Sequence, residues 1–279
     1  MKNTSAFKES IKRAISEDIG NGDITASLIP ESQISVASVI SREAAIIAGI
    51  EWFNAVFKQI CPDTEIHWKV ADGDKVVANT LLCEVKGQSR GILTAERIAL
   101  NFLQTMSGTA TKVSTYVQAI KGTSATILDT RKTLPGLRNA QKYAVTCGGG
   151  KNHRQGLYDG ILIKENHILA AGSIAQAVTN AKTLGSGMPI EVEVENLDEL
   201  TQALEAKADI VLLDNMPPPL LRQAVALNRG QAKLEASGGI TLENIRAIAD
   251  TGVDYLSIGA LTKDVKAIDL SMRFNTLSI

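Results

Sequence analysis

The sequence predicts an α/β protein, with a small mixed domain in roughly its first 90 residues followed by a (β/α) barrel. Three observations predict it. From Lys121 onward, short apolar runs (ATILD, DGILIK, PIEVEVE, ADIVLLD, AKLEAS and VDYLSIG) alternate with helical patterns. The last four runs begin about 20 residues apart, the spacing of βα units in a parallel sheet. No GxGxxG or Walker motif occurs, which favours a barrel over a doubly wound sheet.

In chain order, Phe7, Ile11 and Ile15 form the apolar stripe of a first helix that ends near Gly20. Residues 34–48 alternate as strands with a turn at Ser41 and Arg42, and Glu51 to Ile60 reads as a short helix closed by Cys61 and Pro62. EIHWKV, KVV and LLCEV follow as strands around a turn at Ala71 to Asp74. The piece from 71 to 87 is similar to a turn of biotinyl and lipoyl carriers. It lacks their modifiable lysine context and is taken as a structural turn. Thr94 is the expected N-cap of a long helix reaching Ile120, interrupted near Ser107 and Gly108, with Ile98, Phe102, Leu103 and Met106 on its buried stripe. Arg97 then falls in the first turn, where a cation opposes the helix dipole. Further helices are expected near Ser173, Asn196, Pro217 and Thr241. Asn196 and Glu199 make a capping-box-like start, and Gly252 reads as a C-terminal helix glycine.

Composition bounds the function. A net charge of −1 and the absence of basic–aromatic interleaving argue against a nucleic-acid surface. No apolar run approaches the ~20 residues of a membrane span. Cys61, Cys83 and Cys147 have neither CxxC nor Cys/His spacing, so neither a disulfide framework nor a zinc site is expected. With an N-terminus patterned as a charged amphipathic helix, a cytoplasmic protein is expected.

The chemistry concentrates between Ile127 and Ile168. Seven Lys/Arg face three Asp/Glu there, and two of the three histidines fall in the same window. Cations at strand ends, with Gly148 to Gly150 allowing close backbone approach, point to a polyanion such as a phosphorylated metabolite. Strand ends carry Asp129, Lys164, Glu193, Asp214, Ser237–Gly239 and Gly259, where a barrel places its active site. The turns 237–239 and 258–260 are placed to hold a phosphate near helix N-termini. In IEVEVE, Glu191, Glu193 and Glu195 share one face, toward the barrel interior or mouth, with Arg131, Lys132, Arg154 and Lys164 as partners. No Ser-His-Asp order, HExxH or paired-Cys pattern supports a hydrolase or zinc enzyme. His153 and His167 are either proton shuttles or caps. A barrel aldolase using Lys132 or Lys164 as a Schiff base stays open on these residues alone.

Longer motifs carry a resemblance. DTRKTLPGLR, GGGKNHRQGLYDGILIKENHI, EVEVENLDEL, VLLDNM, EASGGI and SIGAL occur in this order after TAERIALNFLQTMSG, and the match runs from about Asp18 onward. Together they resemble the quinolinate phosphoribosyltransferase family. KENHI, at Lys164 to Ile168, favours this family over its relative in molybdenum-transport operons, which shares DTRKT and the HR step. The resemblance implies an N-terminal α/β sandwich (1–110) and an open, incomplete TIM-like (β/α) barrel (111–279), whose tail 266–279 returns to the first domain. It implies conversion of quinolinate and phosphoribosyl pyrophosphate (PRPP) to nicotinate mononucleotide, CO2 and pyrophosphate in NAD biosynthesis. It also implies magnesium bound mainly through PRPP, with no metal ligand assigned in the protein. Arg131, Lys132, His153, Arg154 and Lys164 correspond to the cationic cup, with Thr130 beside them. Glu193 and Asp214 correspond to the carboxylates facing ribose and magnesium-bound PRPP, and catalysis is assigned to Lys132, Lys164, Glu193 and Asp214. Ser237, Gly238, Gly239, Ile258, Gly259 and Ala260 correspond to the 5′-phosphate loops. Arg97 corresponds to a residue reaching the neighbouring subunit's site, so a homodimer or higher homo-oligomer is implied.

Overall fold

The computed structural model describes residues 4–185 and 187–275. Eight elements come first: α1 (Ser5–Ile19), β1 (Ile34–Ser41), β2 (Ala45–Ile46), α2 (Ile50–Ile60), β3 (Glu65–Trp68), β4 (Lys75–Val76), β5 (Leu81–Gln88) and α3 (Ser89–Ala119). Next are β6 (Thr126–Leu128), α4 (Arg138–Cys147), β7 (Ile161–Ile163), α5 (Glu165–Ala171), α6 (Ile174–Thr183), β8 (Ile190–Val194) and α7 (Leu197–Glu205). The last are β9 (Ile210–Asp214), α8 (Pro218–Asn228), β10 (Lys233–Ser237), α9 (Ile245–Ala249), β11 (Tyr255–Ser257), α10 (Ala260–Lys263) and β12 (Leu270–Phe274).

Two compact units result. One comprises 1–114, 133–149 and 261–279; the other comprises 115–132 and 150–260. In the first, an antiparallel sheet in the order β12-β1-β5-β3 packs one face against helices. β1 buries every second residue, Ala37 and Val39 among them, and these join Phe7 and Ile11 of α1, Trp52, Phe53 and Phe57 of α2, and Ile92, Leu100 and Leu103 of α3 in one core. The C-terminal strand β12 pairs antiparallel with β1, Val39 opposite Met272. Residues 276–279 of the expected tail lie outside the described residues.

The long helix differs from its expected form. α3 follows β5 without a break and starts at Ser89, so Thr94 is interior rather than a cap. The Thr94 hydroxyl donates to Asp23 at 2.8 Å; the Ala26 backbone N–H first, and that hydroxyl second, hold the Asp23 carboxyl below its ordinary pKa. Arg97 lies in the third turn, where the dipole argument no longer applies, and its side chain is exposed. Nor is the helix interrupted at Gly108. A Cβ there would sit 2.1 Å from the Lys266 carbonyl oxygen, so the glycine admits a crossing backbone.

In the second unit, six parallel strands run in the order β6-β11-β10-β9-β8-β7. That is the cyclic order of a barrel with one break, between β6 and β7. A single parallel bridge, Leu128 to Lys151, lies in the break. Outward residues such as Val192, Val194, Val211, Leu213, Leu234 and Ala236 are buried beneath the helices. The alternate, inward positions carry Lys164, Glu191, Glu193, Asp214, Glu235, Ser237 and Ser257, a far more polar set than the branched apolar layers usual in such barrels.

Gly108→Ala is expected to destabilise the chain by about 2 kcal/mol, as overpacking against immovable backbone does. Urea denaturation should show a lower midpoint at unchanged slope.

Candidate active site

The site is assembled around a carboxylate that follows β6. Asp129 is fully buried, and it accepts the Asn152 side-chain amide at 2.5 Å and the His153 backbone N–H at 2.9 Å. Backbone bonds extend this clamp: Lys151 N–H donates to the Ile127 carbonyl at 2.8 Å, and Asp129 N–H to the Lys151 carbonyl at 3.2 Å. Two stretches on either side of the barrel's break are thereby fastened together. Thr130, Arg131 and Lys132 are held beside His153 and Arg154.

These residues line a cavity of about 420 Å³ at the carboxyl ends of the strands. Arg131, Lys132, Arg154 and Lys164 supply its cations; Glu193 and Asp214 supply the facing carboxylates; Thr130, Ser237, Ser257 and Glu235 complete the wall. The Lys132 backbone N–H donates to the Thr130 hydroxyl at 3.0 Å, which shapes the turn that carries the cation. Lys164 forms an ion pair with Glu193.

Like charges are crowded on both banks. Burial, and then the Arg131 charge, lower Arg154 from its ordinary value, while Glu191, Asp159 and Glu193 oppose that shift. Burial and then the Glu193 carboxylate raise Asp214, with Lys164, Lys132 and Asn215 acting the other way. Clustered guanidinium and ammonium groups beside an open cavity are the arrangement that binds carboxylate or phosphate.

The glycine turns are shaped by their neighbours. Gly238 has φ 95°, and a Cβ there would meet the Asn215 side-chain oxygen at 2.0 Å. Asn215, itself left-handed at φ 55°, donates through its side chain to Asp214 at 2.7 Å. A Cβ on Gly259 would sit 2.8 Å from Lys132 Cδ, so Lys132 crosses the cavity over a bare backbone. Ile258 is buried, and α10 begins at Ala260 directly after Gly259. The turn 237–239 differs from expectation. The helix expected near Thr241 starts at Ile245, and the Asn244 side chain braces the intervening loop by donating to the Gly239 carbonyl at 2.9 Å.

Of the expected site residues, the barrel unit thus brings together Thr130, Arg131, Lys132, His153, Arg154, Lys164, Glu193, Asp214 and Ser237. Arg97 belongs to the other unit. His167 is a cap: its Nδ1 accepts the Lys164 backbone N–H at 2.9 Å at the start of α5. Asp129 and Glu191, noted in sequence but given no ligand role, and Glu235 and Ser257, not singled out there, also line or brace these cavities. Alternation in KLEAS, with Leu234 and Ala236 outward, was the available signal for Glu235.

A parallel barrel with such a cup at its carboxyl mouth defines a barrel enzyme for anionic substrates. Comparison with known proteins narrows the class. Residues 23–107 match the quinolinate phosphoribosyl transferase N-terminal domain, and residues 109–273 match the C-terminal domain of the same family. The chain is 41% identical over 267 residues to a probable nicotinate-nucleotide pyrophosphorylase [carboxylating] of Bacillus subtilis, covering 95% of this chain and 92% of the relative. It is 41% identical over 276 residues to the corresponding Mycobacterium leprae protein, covering 96% of each. The solved nicotinate-nucleotide pyrophosphorylase of Francisella tularensis superposes with a TM-score of 0.94 at 51% identity, covering 97% of this chain and 96% of that one. The chain belongs to the quinolinate phosphoribosyl transferase family.

Two substitutions probe the geometry. Gly259→Ala should displace the Lys132 side chain and raise the apparent Km for anionic substrates about tenfold with little change in Tm, a loss of binding alignment rather than of fold. Asp214→Asn tests the electrostatics. The raised Asp214 pKa means the folded state holds that proton more tightly than the unfolded chain, so ionisation costs stability at neutral pH. The variant should melt higher than the parent near pH 7, with the gain shrinking as pH falls toward about 4, the ordinary Asp value.

Proposed function

We propose that the chain transfers a phosphoribosyl group from PRPP to quinolinate, yielding nicotinate mononucleotide, CO2 and pyrophosphate in NAD biosynthesis. The observation that carries this reading is the cationic cup facing two carboxylates at the mouth of the open barrel, in a chain of this family. A substrate with two ring carboxylates and a partner with a diphosphate need several clustered cations, and Arg131, Lys132, Arg154 and Lys164 supply them.

Departure of pyrophosphate leaves positive charge at ribose C1, which Glu193 and Asp214 stabilise electrostatically while the cations receive the leaving group. The pyridine nitrogen bonds to C1 and becomes cationic. The bond from ring carbon to the adjacent carboxylate then breaks as CO2, and its electron pair stays beside that cation until a proton replaces it. Magnesium carried by PRPP supplies neutralisation of the diphosphate when bound. Glu193 and Asp214 are hard oxygen donors that suit a substrate arriving with such an ion. Positioning contributes most of what these side chains do. The ion pair with Glu193 disfavours Lys164 as the Schiff-base lysine of an aldolase.

The working enzyme is read as a cytoplasmic homodimer in which Arg97 completes the partner's site. Its exposure on α3 supports this, and no helix among the described residues is long and apolar enough to cross a membrane. Incubation with quinolinate, PRPP and magnesium should release CO2 and nicotinate mononucleotide in equal amounts; product from nicotinate but none from quinolinate would defeat the assignment. Arg97→Ala and Arg154→Ala should each be inactive, and mixing them should restore about a quarter of wild-type activity through hybrid dimers with one intact site. Exchange of subunits without recovery would show that Arg97 acts otherwise.

A further inference from the structure

Beneath the cup lie three groups that the reaction above leaves unused. Glu191 on β8 and Glu235 on β10 point into the barrel from either side of β9, 4% and 1% exposed. His153 Nε2 is 3.0 Å from a Glu191 oxygen and 3.6 Å from a Glu235 oxygen. His153, Arg154 and Glu235 line both the cup and a second cavity of about 270 Å³ on the side where Ile161 and Ile210 begin their strands and Pro189 precedes β8. The trio forms part of the partition between the two.

Geometry fixes where the protons sit. His153 Nδ1 accepts the Arg154 backbone N–H at 2.7 Å, so a neutral ring carries its proton on Nε2 and directs it at Glu191. The same assignment disfavours a metal ion on the trio, since Nε2 then has no lone pair to offer. One N–H now faces two buried carboxyl groups. Oε1 of Glu191 and Oε1 of Glu235 are buried without a hydrogen-bond partner, so two ionised carboxylates here would be strongly disfavoured. Burial and then the Glu191 charge push Glu235 well above the usual carboxylate range, while His153 and Ser257 act the other way.

We propose that Glu191, as the carboxylate, and Glu235, as the neutral acid, are positioning residues that hold His153 in its Nε2–H form, so that Nδ1 anchors the Arg154 backbone at the floor of the cup. The pair then places one negative charge rather than two below a cavity that must admit an anion. Only this kinetic consequence rests on quinolinate being the substrate.

Two measurements on the intact enzyme test the proposal. Long-range 15N–1H spectra, with the His153 signals assigned by their loss in His153→Asn, should show near pH 7 an unprotonated Nδ1 and a protonated Nε2, unchanged in Glu235→Gln. An imidazolium pattern, or a proton on Nδ1, would overturn it whatever the substrate proves to be. In kinetics, Glu235→Gln mimics the neutral acid and should keep the quinolinate Km within about twofold, whereas Glu235→Ala should raise it about tenfold with a smaller change in kcat. A tenfold rise in Glu235→Gln would contradict the neutral-acid role, and the isosteric variant remains informative if the alanine variant does not fold.

Discussion

Asp129 is a carboxyl group buried where the barrel fails to close, and it is stabilised there by donors from the other side of the break. Without those donors so buried a polar group would be strongly disfavoured, so the 129–132 and 151–154 stretches are bound to one geometry. The consequence is functional. Burial first and the Arg131 charge second lower Arg154, yet the two guanidinium groups are held near each other by backbone that cannot part. Repulsion stored between cations is relieved by an anion, which is what makes a crowded cup a binding site rather than a solvated surface.

The same trade runs through the barrel interior. Filling it with Glu191, Glu193, Glu235, Lys164 and Ser257 gives up the apolar packing that stabilises a closed barrel. The outer face offsets this, since Val192, Val194, Val211 and Leu213 are buried completely against helices. Stability thus comes from the sheet–helix layer and chemistry from the inner layer. Strand alternation keeps the two apart in sequence, one residue after the next.

That alternation explains what could be read in advance. IEVEVE announces its own sidedness, and Glu191 lies inside as expected; the exposed Glu195 passes beyond the end of β8. Basic residues at strand ends located the cup because strands of an α/β barrel deliver their carboxyl ends to one face. Other features depended on distant backbone. Gly108 looked like a helix break because nothing local shows that Lys266 crosses it. Thr94 looked like a cap because Asp23, its partner, lies 71 residues away. Glu235 sits in a strand whose lone acid reads as surface until β8 and β10 are known to face the same interior. The motifs that identify the family carry the cup residues and also His153, Glu191 and Glu235, whereas the contact of these three with one another is visible only in three dimensions.

The central claim is that a cup clamped by Asp129 selects a ligand with two carboxylates. Isothermal titration calorimetry of quinolinate and of nicotinate, at one fixed salt concentration near 0.15 M, tests it most directly. One additional charge-assisted contact is worth about 1.5–3 kcal/mol, so quinolinate should bind at least about tenfold tighter, and Asp129→Ala should abolish the difference. Equal affinities for the two acids in the unmodified protein would contradict it.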